Sequence, residues 1–172
     1  MNSFLKSFLI TLLYIFLMLF QLIVVNNYTI FNITLNLFLV LIVVAFMNFN
    51  RNISIVYSLI TGILLDVIFL TNGFGYYTFC YTLIGVVLYF ISLNKRDNYS
   101  SLIFYIALAT TIFELIAVGR LLFVYSMDFD LFGLFFRIIL ASLLNIAPSL
   151  ALNFIIQKIK YGNRKITGIY MN

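Results

Sequence analysis

The sequence lacks most of the residues from which enzymes build active sites. It contains no histidine, one cysteine and one proline among 172 residues, and only 9% of its residues are charged. Zinc sites and histidine-based acid–base or nucleophilic catalysis are therefore not expected. Cys80 is alone, so it forms no intramolecular disulfide and belongs to no redox motif. No phosphate-binding loop or nucleotide fingerprint is present either. We expect no catalytic residue, no cofactor and no metal site.

Apolar residues dominate what remains, at 65% of the chain. A soluble domain is about half apolar and a quarter charged, so this composition does not supply a water-compatible surface. The apolar residues also form long uninterrupted blocks, and about 20 such residues in a helix cross the ~30 Å of hydrocarbon in a bilayer. The sequence thus predicts an all-α, polytopic membrane protein with no soluble domain.

Polar breaks divide the chain into six candidate transmembrane helices. They cover residues 4–25, 30–48, 53–70, 76–93, 101–125 and 133–157, and a basic tail, 158–172, follows. Span 2 is the least regular, because Asn32, Thr34 and Asn36 make its outer end polar. No loop is long enough to hold a second domain.

Six spans put both termini on one side of the membrane, and the basic residues indicate which side. If that side is the cytoplasm, the inner segments hold Lys6, Arg51, Lys95, Arg96, Lys158, Lys160, Arg164 and Lys165. The outer loops then hold no Lys or Arg, only Asp128 and Asp130. The positive-inside rule therefore predicts a multi-pass protein of a bacterial cell (inner) membrane with both termini cytoplasmic. We expect the basic tail to contact anionic lipid, not nucleic acid.

Four charged residues fall inside the proposed spans, namely Asp66, Glu114, Arg120 and Arg137. A charge at membrane depth costs at least ~2.5–3.5 kcal/mol unless it is paired or hydrated. At 1.5 Å of rise per residue, all four lie in the same outer layer. Glu114 and Arg120 are six residues apart, on different sides of one helix, so their partners must come from other helices.

Two spans carry a polar or small residue at every fourth position. The stripe of span 3 consists of Ser54, Ser58, Gly62 and Asp66, and that of span 6 of Arg137, Ala141, Asn145, Ser149 and Asn153. Such stripes let helices approach closely. Laid antiparallel, they bring Asp66 and Arg137 to equal depth, so we expect these two to pair. The stripes are either a packing seam or a groove that a partner or ligand uses.

Pro148 interrupts span 6, because it cannot donate a hydrogen bond to the carbonyl of Leu144. We expect a kink there, with the side chain of Asn145 helping to satisfy the freed backbone groups.

One stretch of the chain resembles a known family. It runs from Gly62 to Asp66, continues through a turn that ends in Phe74 and Gly75, and leads into an apolar span. With Asn145 and Pro148 in the last span, this pattern resembles the rod-shape-determining MreD family. The resemblance implies a non-catalytic membrane subunit of the cell-elongation complex, which controls cell shape and peptidoglycan synthesis. The implied partners are a bitopic MreC-like protein, MreB, RodA and a class B penicillin-binding protein.

Two other functions stay open. The substrate-binding subunit of an energy-coupling-factor vitamin transporter also has six spans, and Asp66, Glu114 and Arg120 would supply the polar part of a ligand site. Its typical alanine-x-x-x-alanine motif is missing, since span 1 offers only Ser3 and Ser7 at that spacing. A membrane enzyme would have to rely on Asp66 and Glu114. The candidate interhelical or partner-docking residues are Ser58, Gly62, Asp66, Gly75, Glu114, Arg120, Arg137, Asn145 and Pro148.

Overall fold

The computed structural model describes residues 3–23, 29, 33–69, 75–92, 98–125 and 130–161, and this part of the chain is all-helical. Its six helices are α1 (Ser3–Ile23), α2 (Leu37–Asn48), α3 (Arg51–Ile68), α4 (Tyr76–Ser92), α5 (Tyr99–Tyr125) and α6 (Leu131–Tyr161). Five of the six begin and end within a few residues of the predicted spans. Helix α2 is the exception.

The polar breaks in the sequence provide the helix starts. The side chain of Asn36 accepts a hydrogen bond from the Leu39 amide at the start of α2. Asn98 accepts one from the Ser101 amide in α5. Asp130 accepts one from the Phe132 amide in α6. An N-cap of this kind satisfies one of the four amides that lack a partner within the helix.

Helix α2 lies at the centre of the bundle. Every residue from Leu37 to Met47 is buried, and the helix contacts each of the other five. It has 12 residues, which at 1.5 Å per residue gives ~18 Å, well short of the ~30 Å hydrocarbon layer. The part of the predicted span 30–48 that precedes Leu37 is not helical where the structure describes it, at residues 33–36. There the side chain of Asn36 caps the helix start, and the side chains of Gln21 and Asn145 bind the backbone of Leu35 and Asn36.

Within the described residues, three helices are long enough and apolar enough to cross a membrane, namely Arg51–Ile68, Tyr99–Phe123 and Leu131–Lys160, which indicates a membrane protein. The other apolar helical stretches are shorter: Phe8–Ile23, Leu37–Asn48 and Tyr76–Ser92. Large apolar side chains cover the outward faces of α1 and α3, among them Phe16, Leu19, Ile60 and Val67. Such a surface is compatible with lipid rather than with water.

One end of the bundle carries basic side chains. Arg51 Nη2 donates to the carbonyl of Ser92, 2.6 Å away, and joins the start of α3 to the end of α4. Lys160 donates to the carbonyl of Asn48 at the end of α2, where a positive charge stabilises the helix dipole. Helix α6 includes Lys158 and Lys160 in its last turn, so the basic tail begins later than residue 158.

Several predicted features lie outside the described residues, among them Lys95, Arg96, Asp128, Arg164 and Lys165. Pro148 lies inside α6, which continues through it from Leu131 to Tyr161.

Candidate functional site

Asp66 caps the next helix. It is 1% exposed at the end of α3, and its carboxylate accepts hydrogen bonds from the amides of Tyr77 and Thr78, at 2.8 and 2.9 Å. The Thr78 hydroxyl donates a third bond to it, at 2.5 Å. The negative charge thus lies against the positive N-terminal end of α4, where unpaired amides and the helix dipole both favour an anion.

Two glycines let α3 and α4 form this hairpin. A Cβ on Gly62 would lie 2.5 Å from the Cα of Thr78, so the backbones touch where only hydrogen fits. Gly75 has a φ of +97° immediately before α4, a left-handed conformation that glycine adopts without steric cost. Ser58 extends the contact and faces Gly85 on α4. The span 3 stripe is therefore buried against α4.

The predicted pair of Asp66 and Arg137 is wrong. Arg137 Nε donates to Glu114 Oε2 at 2.7 Å and joins α6 to α5. Helix α3 packs mainly on α4 and α2, whereas α6 packs on α5, α2 and α1. The two stripes fail to meet because α2, which contacts both helices, occupies the centre of the bundle.

The four intramembrane charges still lie at the same end of the bundle. Asp66 binds the first turn of α4, and the Arg120 guanidinium lies 4.6 Å from the ring centre of Tyr76 in that turn. A cation over an aromatic face is attracted by the negative face of the ring. Glu114 and Arg137 line one cavity with Tyr77 of the same turn. The prediction that Glu114 and Arg120 find partners on other helices is confirmed.

The start of α2 is held by side chains from its neighbours. Gln21 on α1 accepts from the Leu37 amide at 2.8 Å and donates to the Leu35 carbonyl at 2.9 Å. Asn145 on α6 accepts from the Asn36 amide at 3.0 Å. The Tyr81 hydroxyl donates to the side-chain oxygen of Asn36 at 3.1 Å. Buried backbone groups need such partners, since an unsatisfied amide costs about 1–3 kcal/mol.

Asn145 is thus not used as the sequence predicts. Its amide nitrogen donates to the Thr110 hydroxyl at 3.3 Å, and its oxygen binds the backbone of Asn36. It does not compensate for Pro148. The span 6 stripe is a contact face toward α2 and α5, and Asn153 continues it by accepting from Asn48 at 2.7 Å.

A cavity of about 310 Å³ lies next to the start of α2. All six helices and the segment before α2 contribute to its wall. Its polar lining includes Gln21, Asn36, Tyr81, Glu114, Arg137 and Asn145. Its volume is at the lower end of the range for small-molecule sites. Ser58, Gly62, Asp66 and Gly75 build the hairpin beside it and do not line it.

Sequence reasoning missed several residues of this region, among them Gln21, Thr78 and Tyr81. Gln21 gave a usable signal, because an amide near the end of an otherwise apolar helix needs a buried partner. Thr78 and Tyr81 gave none, since hydroxyl-bearing residues are frequent in membrane helices and their partners are set by tertiary packing.

Comparison of the chain with protein-family models, curated proteins and solved structures returns no match.

Proposed function

We propose that the protein is a multi-pass subunit of a bacterial cell membrane with both termini in the cytoplasm. Five helices cross the bilayer in this proposal, and α2 crosses together with the non-helical segment before it. The support is the separation of charge. Eight Lys and Arg residues fall in the proposed inner segments and none in the outer loops, which is the pattern that the positive-inside rule requires.

We further propose that this subunit is non-catalytic and acts in the cell-elongation complex, as its resemblance to the MreD family implies. The observation that carries this proposal is the joint use of Gly62, Asp66 and Gly75. These residues of the resemblance fall within residues 62–75, and all three serve one α3–α4 hairpin. A motif that closes a hairpin explains why a glycine, an aspartate and a second glycine are needed together.

The burial of that motif has a consequence for docking. Gly62 and Asp66 are covered within the monomer, so a bitopic MreC-like partner would bind the outward apolar face of a helix. MreB, RodA and the class B penicillin-binding protein would then be reached through the assembled complex. The lipid-facing residues of α3, including Ile60 and Val67, are exposed and suit such a contact.

Cross-linking in cells tests this proposal. A photo-reactive residue placed at Ile60 on the exposed face of α3 should capture an MreC-like protein, whereas one at the buried Leu65 should not. Depletion of the protein should round the cells. Normal rod shape after depletion, together with no cross-link to an MreC-like protein from any outward face, would contradict the proposal.

A second candidate function is the substrate-binding subunit of an energy-coupling-factor transporter. The cavity is the observation that favours it, since six helices converge on a space with polar and aromatic walls. Copurification with a coupling-factor ATPase, and not with an MreC-like protein, would select this function over the first.

A further inference from the structure

The cavity at the start of α2 has features that helix packing alone does not explain. Concave spaces of roughly 300–1,000 Å³ with apolar walls and a few convergent polar groups are typical of small-molecule sites. This cavity has about 310 Å³, room for many waters, and an ion pair forms part of its wall. An apolar pair at positions 114 and 137 would pack α5 against α6 without the cost of placing charges at membrane depth.

The ion pair of Glu114 and Arg137 also has hydrogen-bonding groups that the two residues do not use with each other. Arg137 donates only through Nε, and 46% of its side chain is exposed. Its two terminal nitrogens, and Oε1 of Glu114, have no hydrogen-bond partner among the described residues. An Arg–carboxylate pair that serves only to join two helices is commonly bidentate. The open geometry leaves cationic donors beside a carboxylate acceptor.

An aromatic wall continues from these groups into the cavity. The rings of Phe69, Tyr77, Tyr81 and Phe113 form a series with centroids 5.8, 6.4 and 5.7 Å apart. All four residues line the cavity. Aromatic faces offer a large apolar contact to a flat ring or an alkyl chain, and they attract a nearby cation.

We propose that this cavity binds a small amphipathic zwitterion. Its anionic oxygens would accept hydrogen bonds from the terminal nitrogens of Arg137, and its ammonium group would donate to Glu114. Its apolar body would lie along Tyr81 and Phe113. Because the start of α2 is already capped by Asn36 and Gln21, the ligand's polar end is bound by the ion pair and not by the helix terminus.

Two sources supply this chemistry, a soluble amino-acid-like molecule and the head group of phosphatidylethanolamine. The full chain, purified in detergent, is heated with each of four probes. L-Tryptophan and phosphatidylethanolamine carry the ammonium group, whereas indole-3-propionate and phosphatidylglycerol lack it. A ligand that binds only the folded state raises the unfolding midpoint. We expect one of the two ammonium-bearing probes to raise it by several degrees, and its counterpart to have little effect.

Two variants show whether the effect comes from the cavity. Ala141 lines the cavity one turn from Arg137, so Ala141→Leu fills the site and should abolish the shift. Ala151→Leu makes the same change at an exposed position of α6 and should preserve it. The double variant Glu114→Gln with Arg137→Gln keeps a hydrogen-bonding pair without charge, so it should fold and lose the shift.

The proposal is overturned if neither zwitterion changes the midpoint and native mass spectrometry of the purified protein finds no bound species. A shift that persists in Ala141→Leu would also overturn it, because binding would then occur elsewhere. The inference rests on neither proposed function. The measurement uses the isolated protein, so its failure is distinguishable from a failure of cross-linking or of cell rounding.

Discussion

Individual charges in this chain are stabilised by close partners that depth alone does not identify. The sequence predicts correctly that each intramembrane charge needs a partner on another helix, and it fails for Asp66 and Arg137. Several polar and charged groups lie at a similar depth, so depth alone does not select one of them as the partner of Asp66 or Arg137. Asp66 instead binds the first turn of the next helix, α4, whose Thr78 lies only 12 residues further along the chain. A helix N-terminus stabilises a carboxylate through its unpaired amides and the helix dipole.

Removing the Asp66 carboxylate should loosen the α3–α4 hairpin. Asp66→Ala leaves two half-buried amides and one hydroxyl without their acceptor, so we expect a loss of about 1–3 kcal/mol in the free energy of unfolding. Asp66→Asn keeps one acceptor oxygen and should lose less. Unfolding in mixed detergent micelles measures both. Equal stability of Asp66→Ala and the wild type would show that this cap is not needed.

Charge exchange should discriminate between the two possible partners of Arg137. Glu114→Arg combined with Arg137→Glu should recover part of the stability that either single change loses, with a coupling of about 0.5–3 kcal/mol. Asp66→Arg combined with Arg137→Asp should show no coupling, since these side chains bind different groups. A double-mutant cycle for each pair, read from unfolding midpoints, checks the assignment. Coupling in the second cycle alone would restore the pairing that the sequence suggests.

Gly62 should tolerate no side chain, whereas Gly119 should. A Cβ at Gly62 meets the backbone of Thr78 at 2.5 Å, and one at Gly119 meets nothing within 4 Å. Gly62→Ala must separate α3 from α4 and should cost about 1–3 kcal/mol, as overpacking does in other cores. Gly119→Ala makes the same change in open space, so it should be neutral or slightly stabilising. Similar unfolding midpoints for the two variants would contradict the close contact.

At the scale of the helices, the hydrophobic blocks of the sequence predict where a helix forms and how long it is, for every described helix except α2. The apolar run from Leu37 to Met47 is evident in sequence, but its length suggests a span only if the polar residues before it are included. Asn36 directly precedes the run and is a typical N-cap residue, so the helix start was accessible to sequence reasoning. Its central position was not, because no local pattern says which helix is surrounded by the others.

The start of α2 should open locally when its anchor on α1 is lost. Gln21→Leu leaves the Leu37 amide and the Leu35 carbonyl without their partners. We expect faster hydrogen exchange at Leu37, with little change at the far end of the helix, where α6 still binds Asn48. Phe20→Leu alters the neighbouring residue, whose side chain is 40% exposed, and serves as the control. Unchanged exchange in Gln21→Leu would mean that α2 does not depend on this anchor.

At the scale of the whole molecule, little of the candidate site could be predicted from the sequence pattern. Glu114, Arg137 and Asn145 are visible as polar residues in apolar spans, and all three line the cavity. The cavity lies at the start of α2, where the non-helical residues 34–36 and the first turn of the helix form part of its wall. Span prediction assumes full-length helices and therefore fills that space. The identity of the polar residues is predictable, and the volume that they enclose is not.

The proposed topology is open to a direct labelling test. Cys80 is 0% exposed, so the native chain should give little background with a membrane-impermeant maleimide. A cysteine introduced at Asn94 should react only after the membrane is permeabilised, whereas one at Asn72 should react in intact cells. Labelling of the Asn94 variant in intact cells would place the 94–98 loop outside and reverse the orientation.

The central position of α2 also sets the order in which the chain can mature on the ribosome. Asn36 at its start binds Asn145, which is synthesised 109 residues later, and Asn48 at its end binds Lys160, which is synthesised 112 residues later. At about 5–20 residues per second, synthesis of that interval takes on the order of 5–20 s. During this time α6 does not yet exist, so water or the insertion machinery must solvate these backbone groups. The last helix to emerge therefore completes the packing of the second.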